Sequence, residues 1–199
     1  VTWTVVDTSG NLRTCAQAVT VNDTEPPTLT CPANRVVSTD AGRCFATGVS
    51  LGTLLALNDN CGLQTLTNNA PAQYPKGVTL VTWTLVDTSG NFRTCAQTVT
   101  VNDTELPTLT CPTNRVVSTD VGQCFATGVN LGAPPATNDN CGLLTVTNNA
   151  PTHYFKGATT VTWTVVDTSG NLRTCAQTVT VNDTEPPTLT CPANRVVST

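Results

Sequence analysis

Residues 81–101 read Val81-Thr82-Trp83-Thr84-Leu85-Val86-Asp87-Thr88-Ser89-Gly90-Asn91-Phe92-Arg93-Thr94-Cys95-Ala96-Gln97-Thr98-Val99-Thr100-Val101. Val81, Trp83 and Leu85 alternate with Thr82, Thr84 and Val86, and later Val99 and Val101 alternate with Thr98 and Thr100. A period of two puts successive side chains on opposite faces of a strand, and Thr and β-branched residues suit a pleated surface. Asp87-Thr88-Ser89-Gly90-Asn91, between the two runs, is a hairpin signal. The stretch therefore predicts two strands joined by a tight loop. Working outward, Leu109 and Cys111 alternate with Thr108 and Thr110, while Asn58-Asp59-Asn60 and Asn68-Asn69-Ala70-Pro71 read as turns. No stretch has helical periodicity. About seven short strands in such a unit predict an all-β fold, a small immunoglobulin-like β-sandwich. Trp83 sits on the next-to-last strand and not the third, which separates the unit from antibody-type domains.

The same pattern recurs. Trp3, Trp83 and Trp163 lie 80 residues apart, as do Cys15, Cys95 and Cys175, and Cys31, Cys111 and Cys191. Cys44 and Cys124 share that offset, as do Cys61 and Cys141. An 80-residue period is too long for a solenoid repeat and is normal for a small domain. The segment Val21-Asn22-Asp23-Thr24-Glu25-Pro26-Pro27 recurs at 101–107, with Leu106 in place of the first Pro, and at 181–187, and its prolines end strand pairing. Full units are expected at 26–105 and 106–185. Residues 1–25 read as the end of a preceding unit and 186–199 as the first strand of a following one, so the sequence reads as an excerpt from a tandem array of stacked domains with Pro-stiffened linkers.

Composition narrows the function classes. The chain has 199 residues, a net charge of −4 and 11% charged residues. Nine Lys and Arg give a nucleic-acid backbone little to hold. No apolar run is long enough for a membrane span. A hydrophobic content of 39% argues against disorder. Ten Cys without a Cys-x-x-Cys pair point to disulfides in an oxidising compartment. Wide gaps between cysteines and a single His argue against zinc.

Five segments follow one another in order: Pro-Thr-Leu-Thr-Cys-Pro (27–32), Asp-Asn-Cys-Gly (59–62), Lys-Gly-Val-Thr-Leu-Val-Thr-Trp-Thr (76–84), Asp-Thr-Ser-Gly-Asn (87–91) and Thr-Cys-Ala-Gln-Thr-Val-Thr-Val-Asn-Asp (94–103). This order resembles the hyalin repeat, or HYR domain, and the second unit matches at 107–112, 139–142, 156–164, 167–171 and 174–183. The resemblance implies an immunoglobulin-like, extracellular module used in tandem in matrix, adhesion and cell-surface proteins. It carries no catalytic residues.

Four Cys per unit allow three connectivities. In an immunoglobulin-like order the first strand can run parallel beside the last, which puts Cys31 and Cys95 at the same end. Cys44 opens the second strand, and Cys61 follows a loop back to that neighbourhood. The expected bonds are Cys31–Cys95 and Cys44–Cys61, then Cys111–Cys175 and Cys124–Cys141. Cys15 and Cys191 are left over.

The carboxylates gather in three segments that an immunoglobulin-like order brings to one end. The first site would draw on Asp23 and Glu25 of the linker, Asp59 and Asn60, and Asp87 and Asn91. The second would draw on Asp103 and Glu105, Asp139 and Asn140, and Asp167 and Asn171. Six to eight oxygens of this kind suit calcium. The same residues also make ordinary turns without a metal, and both readings stand at this point. Asn22, Asn102 and Asn182 each open an N-glycosylation sequon.

An enzyme is not expected: His153 is replaced by Gln73 one unit earlier, and Ser89 and Ser169 have no His partner. No organic cofactor is indicated. The copies differ most at Thr53-Leu54-Leu55-Ala56-Leu57 against Ala133-Pro134-Pro135-Ala136-Thr137, which marks that loop as a place for partner recognition. The reading that results is a structural subunit of an extracellular filament, matrix fibre or surface stalk, partnered by other copies of the repeat. Its rival is a cell-adhesion module that binds a protein or glycan.

Overall fold

A computed structural model describes residues 1–197. The chain forms two compact units, residues 1–37 with 47–100, and residues 38–46 with 101–199. Every regular element among the described residues is a strand. They are β1 (Thr2–Val6), β2 (Leu12–Ala16), β3 (Thr28–Thr30), β4 (Arg35–Ser38), β5 (Phe45–Thr47), β6 (Ala56–Asn58), β7 (Leu63–Asn68), β8 (Gln73–Pro75), β9 (Gly77–Asp87) and β10 (Phe92–Asn102). They continue with β11 (Thr108–Thr110), β12 (Arg115–Ser118), β13 (Phe125–Thr127), β14 (Ala136–Asn138), β15 (Leu143–Asn148), β16 (His153–Phe155), β17 (Gly157–Asp167) and β18 (Leu172–Asn182).

In the second unit a four-stranded sheet has the order β12-β18-β17-β15, beside the pairs β11-β14 and β13-β16. β12 runs parallel to β18, with Arg115 opposite Val179; the other pairings are antiparallel. A bulge between Leu143 and Thr145 shifts the register of β15 and bends that edge strand. β17 and β18 show the alternation read from the sequence. Val161, Trp163, Val165, Val179 and Val181 are buried, and the intervening Thr residues are half-buried. Ala126 and Tyr154 from the β13-β16 pair close over this face, with Cys111, Val117, Val129, Leu131 and Cys175 packed around it. Trp163 lies directly opposite Cys175, so the indole and the Cys111–Cys175 bond share one core.

The first unit repeats the sheet as β4-β10-β9-β7, with β3 paired to β6. Val81, Leu85 and Val99 are buried there. The unit also holds the β1-β2 hairpin. There Trp3 is 60% exposed, against 8% for Trp83 and 7% for Trp163, because among the described residues the hairpin stands as a two-stranded sheet with no second layer over that apolar face.

A strand was expected over 186–199. Residues 186–197 form none, and Ser198 and Thr199 lie outside the described residues. The reason is pairing. The equivalent strands β3 and β11 hold their shape by laddering to β6 and β14, and among the described residues no strand pairs with 186–197.

The disulfides require a second correction. Cys31 is bonded to Cys95 and Cys111 to Cys175, each closing 64 residues. Cys44, however, is bonded to Cys141, 97 residues away, and not to Cys61. Cys61 and Cys124 are free and exposed, as are Cys15 and Cys191. Residues 38–46 belong to the second unit, where Arg43 O accepts the Asn140 amide at 2.9 Å and Glu105 Oε2 accepts the Gly42 N–H at 2.8 Å. These contacts seat Cys44 on the loop that carries Cys141, with a Cα–Cα separation of 4.8 Å, inside the range a disulfide needs.

Candidate cation site in each unit

The hairpin loops build the floor of each site. Asp167 ends β17 and is fully buried. Its Oδ1 accepts the N–H groups of Ser169 at 2.7 Å and Asn171 at 2.8 Å, and its Oδ2 accepts the Asn171 amide at 2.8 Å. Gly170, at φ +88°, makes the left-handed step that closes such a turn. Burial alone raises the carboxyl pKa, but the Asn171 side chain and the loop N–H groups outweigh it and hold Asp167 below its ordinary value. Asp87 makes the same bonds with Ser89 and Asn91 and is held down against burial in the same way.

Two more carboxylates stand over that floor. Asp103 follows β10 and is 6% exposed; Asp139 follows β14. One oxygen from each of Asp103, Asp139 and Asp167 lies within 4.8 Å of the others. Asp103 is tied to both other loops. Its Oδ2 accepts the Ser169 hydroxyl at 2.6 Å, its Oδ1 accepts the Asn140 amide at 3.3 Å, and its backbone carbonyl accepts the Asn171 amide at 3.2 Å. Asp139 Oδ2 accepts the Cys141 N–H at 2.8 Å. Asp139 Oδ1 and Asn140 Oδ1 are buried with no protein partner.

The first unit repeats the cluster with Asp23, Asp59 and Asp87, again with one oxygen of each within 4.8 Å of the others. Asn91 donates to the Asp23 carbonyl at 3.3 Å. Asp59 Oδ2 accepts the N–H groups of Cys61 and Gly62 at 2.8 and 2.9 Å. Asp23 Oδ2 and Asp59 Oδ1 are buried and unpartnered. A cavity of about 350 Å³ opens here, lined by Asn22, Asp23, Glu25, Asn60, Cys61 and Ser89 among others. Burial, followed by the charges of Asp23 and Asp59, pushes the Cys61 thiol pKa up.

Buried acceptor oxygens without donors are costly, and packed carboxylates repel one another unless a cation lies between them. The donor set is all oxygen and mostly anionic, which fits a hard divalent cation such as calcium. Not every expected ligand joins it. Asn91 and Asn171 spend their amides on holding the loops. Glu105 Oε2 takes the Gly42 N–H, and Glu185 Oε2 takes the Gly122 N–H at 2.7 Å, so these glutamates cap a neighbouring turn. Glu25 donates its backbone N–H to Asp23 Oδ1 at 3.1 Å. The sequon residues Asn22, Asn102 and Asn182 are exposed.

Sequence reading missed the buried glutamine. Gln177 is fully buried; its amide donates to Thr113 O at 2.7 Å and Leu131 O at 2.9 Å. Gln97 does the same to Ala33 O and Leu51 O at 2.7 and 2.8 Å. The signal was available: Gln17, Gln97 and Gln177 each follow a Trp at the same spacing, on the core-facing parity of the strand. Thr53–Leu57 and Ala133–Thr137, where the copies differ most, border clefts. The second unit's cleft, about 310 Å³, is lined by Arg115, Gly132, Ala133, Pro134, Pro135 and Ala136 among others.

The HYR domain family model matches residues 22–101 and 102–181. Each matched span opens at the linker Asn, ahead of the prolines. The chain is 34% identical to hyalin of Lytechinus variegatus, with 100% of this chain and 39% of that protein covered. It is also 34% identical to hyalin of Strongylocentrotus purpuratus, with 98% and 17% covered. The chain thus spans about two fifths or less of these relatives. Among solved structures, extracellular domains 1–3 of protocadherin gamma C5 are 14% identical, with a TM-score of 0.41 over 91% of this chain and 76% of that one. With two matched spans that together take in most of the sequence, the chain belongs to the HYR domain family.

Proposed function

We propose that this chain is a stretch of an extracellular structural array, a filament, matrix fibre or surface stalk, in which tandem HYR repeats are joined covalently and stiffened by calcium. The observation that carries this reading is the Cys44–Cys141 bond, which links cysteines from successive copies of the sequence. A bond of that kind adds nothing to recognition of a partner and resists separation of the copies. Three disulfides suit an oxidising, extracellular setting. Repetition of the same acidic cluster in both units supports a structural ion over a single binding site. Glycans on Asn22, Asn102 and Asn182 belong to the same proposal, as does the absence of an enzymatic role: the Ser169 hydroxyl is hydrogen-bonded to Asp103 at 2.6 Å.

Electron microscopy of the native material tests the array. Long fibres with a uniform period support it; monodisperse short particles count against it. Titration with calcium after chelation tests the ion, with two equivalents expected per chain.

A second reading is adhesion to a protein or glycan. The cleft beside Ala133–Thr137 favours it, because the loop that varies between copies lines it. Binding of a partner that Pro134→Ala weakens, without loss of stability, would support that reading.

A further inference from the structure

We infer that the cavity beside Cys61 is a socket for the Ser-Thr-Asp-x-Gly-x-Cys segment of a further HYR repeat, which it locks in place as a disulfide on Cys61. The inference goes beyond the calcium reading and does not require it.

The second unit shows the socket filled. Residues 38–46 carry Ser38-Thr39-Asp40-Ala41-Gly42-Arg43-Cys44. Three residues of the second unit hold this segment. Glu105 Oε2 accepts the Gly42 N–H at 2.8 Å. The Asn140 amide donates to Arg43 O at 2.9 Å and lies 3.4 Å from Thr39 Oγ1. Cys141 is bonded to Cys44.

The counterparts in the first unit are Glu25, Asn60 and Cys61, one repeat earlier in each case. All three line the open cavity of about 350 Å³. The loop is already set: Asp59 Oδ2 accepts the Cys61 N–H at 2.8 Å, as Asp139 Oδ2 does for Cys141. Cys61 is a free, exposed thiol, whereas the bonded Cys141 is half-buried. The matching plug is present too. Residues 118–124 read Ser-Thr-Asp-Val-Gly-Gln-Cys, Gly122 N–H is held by Glu185, and Cys124 is free and exposed. One chain thus offers one socket and one plug, each with an unspent thiol.

The bond can be made with a peptide of sequence 38–46 whose Cys carries a 2-thiopyridyl disulfide. The Cys61 thiolate attacks the peptide sulfur and a new S–S bond forms. The old S–S bond breaks, and pyridine-2-thiol leaves with the electron pair and takes up a proton. Release is followed by absorbance and the site by peptide mapping, in chelator and again in calcium. The expected result is modification of Cys61 at least about tenfold faster than of Cys15, Cys124 or Cys191. A scrambled peptide should lose that preference, and Glu25→Gln or Asn60→Ala should slow the reaction several-fold. Equal labelling of all four thiols, or equal labelling by the scrambled peptide, overturns the inference. Because selectivity in chelator decides it, failure to bind calcium would leave it standing.

Discussion

The indole N–H of Trp163 donates to Oε1 of Gln177 at 3.0 Å inside the core, and the same glutamine's amide holds the carbonyls of Thr113 and Leu131. A sandwich of short strands leaves loop carbonyls that the strand ladders do not pair, and the bonds from the Gln177 amide to two of them are partly buried. One side chain satisfies two such carbonyls and the indole together. Gln97 and Trp83 repeat the arrangement at 3.2 Å.

Gln177→Leu keeps the volume and removes every one of those partners. Each orphaned buried group costs about 1–3 kcal/mol, so the variant should lose at least about 2 kcal/mol of stability. Denaturant unfolding with a Gln17→Leu control, where the glutamine accepts the Trp3 indole N–H at 2.9 Å in an exposed setting, checks it; equal losses would refute a core role.

Tyr154 presents the opposite case. It is 2% exposed, its hydroxyl has no partner, and burial raises its pKa. Removal of an unpaired buried hydroxyl should be neutral or favourable. Tyr154→Phe should match or exceed the parent's melting temperature, with a gain of about 1 kcal/mol or less.

The pH dependence follows from Asp87 and Asp167. Both carboxyls sit below their ordinary value of 3.8. A depressed folded-state pKa stabilises the fold at pH above the unfolded value, and the benefit drains away as pH falls through the depressed one. Unfolding midpoints should therefore be flat near neutrality and fall below about pH 4. Asp167→Asn should lower stability at pH 7 and flatten that acid limb.

Each 64-residue disulfide loop is worth about 4 kcal/mol on the chain-entropy scale. Cys111→Ala with Cys175→Ala should destabilise the second unit by that order. Thermal unfolding that a thiol reductant leaves unmoved would contradict a stapling role.

Calcium binding should appear as two sites that fail independently. Asp139→Asn keeps an acceptor for the Cys141 N–H and deletes one charge, so calorimetry should find one site in place of two. At a hundredfold excess over Kd the ion should add about 2.7 kcal/mol of stability, and a melting curve with and without chelator measures it.

The hairpin turn was legible because its bonds are local. Asp7, in the exposed β1-β2 hairpin, accepts the N–H groups of Ser9 and Asn11 and the Asn11 amide at 2.9, 2.8 and 2.7 Å, just as its buried copies do. Asp-Thr-Ser-Gly-Asn therefore writes its own loop, with or without a core. The strand alternation of Val161, Trp163 and Val165 was legible for a similar reason: period two survives any arrangement of the sheets. Gln177 was passed over because a polar residue on a strand reads as solvent-facing until its neighbours are known.

The amino-acid sequence by itself determined the repeat, which is a matching of residues 80 apart, and the strands and turns of the full units, which depend on residues close together along the chain; the carboxylates were legible one loop at a time, and the fold brings them into clusters. The partner of Cys44 was decided only by tertiary structure. Cys61 and Cys141 sit in identical Asn-Asp-Asn-Cys-Gly contexts, so no local feature can distinguish them. The choice falls to whichever loop the 38–46 segment packs against, and the hydrogen bonds that Glu105 accepts and Asn140 donates settle it in favour of Cys141.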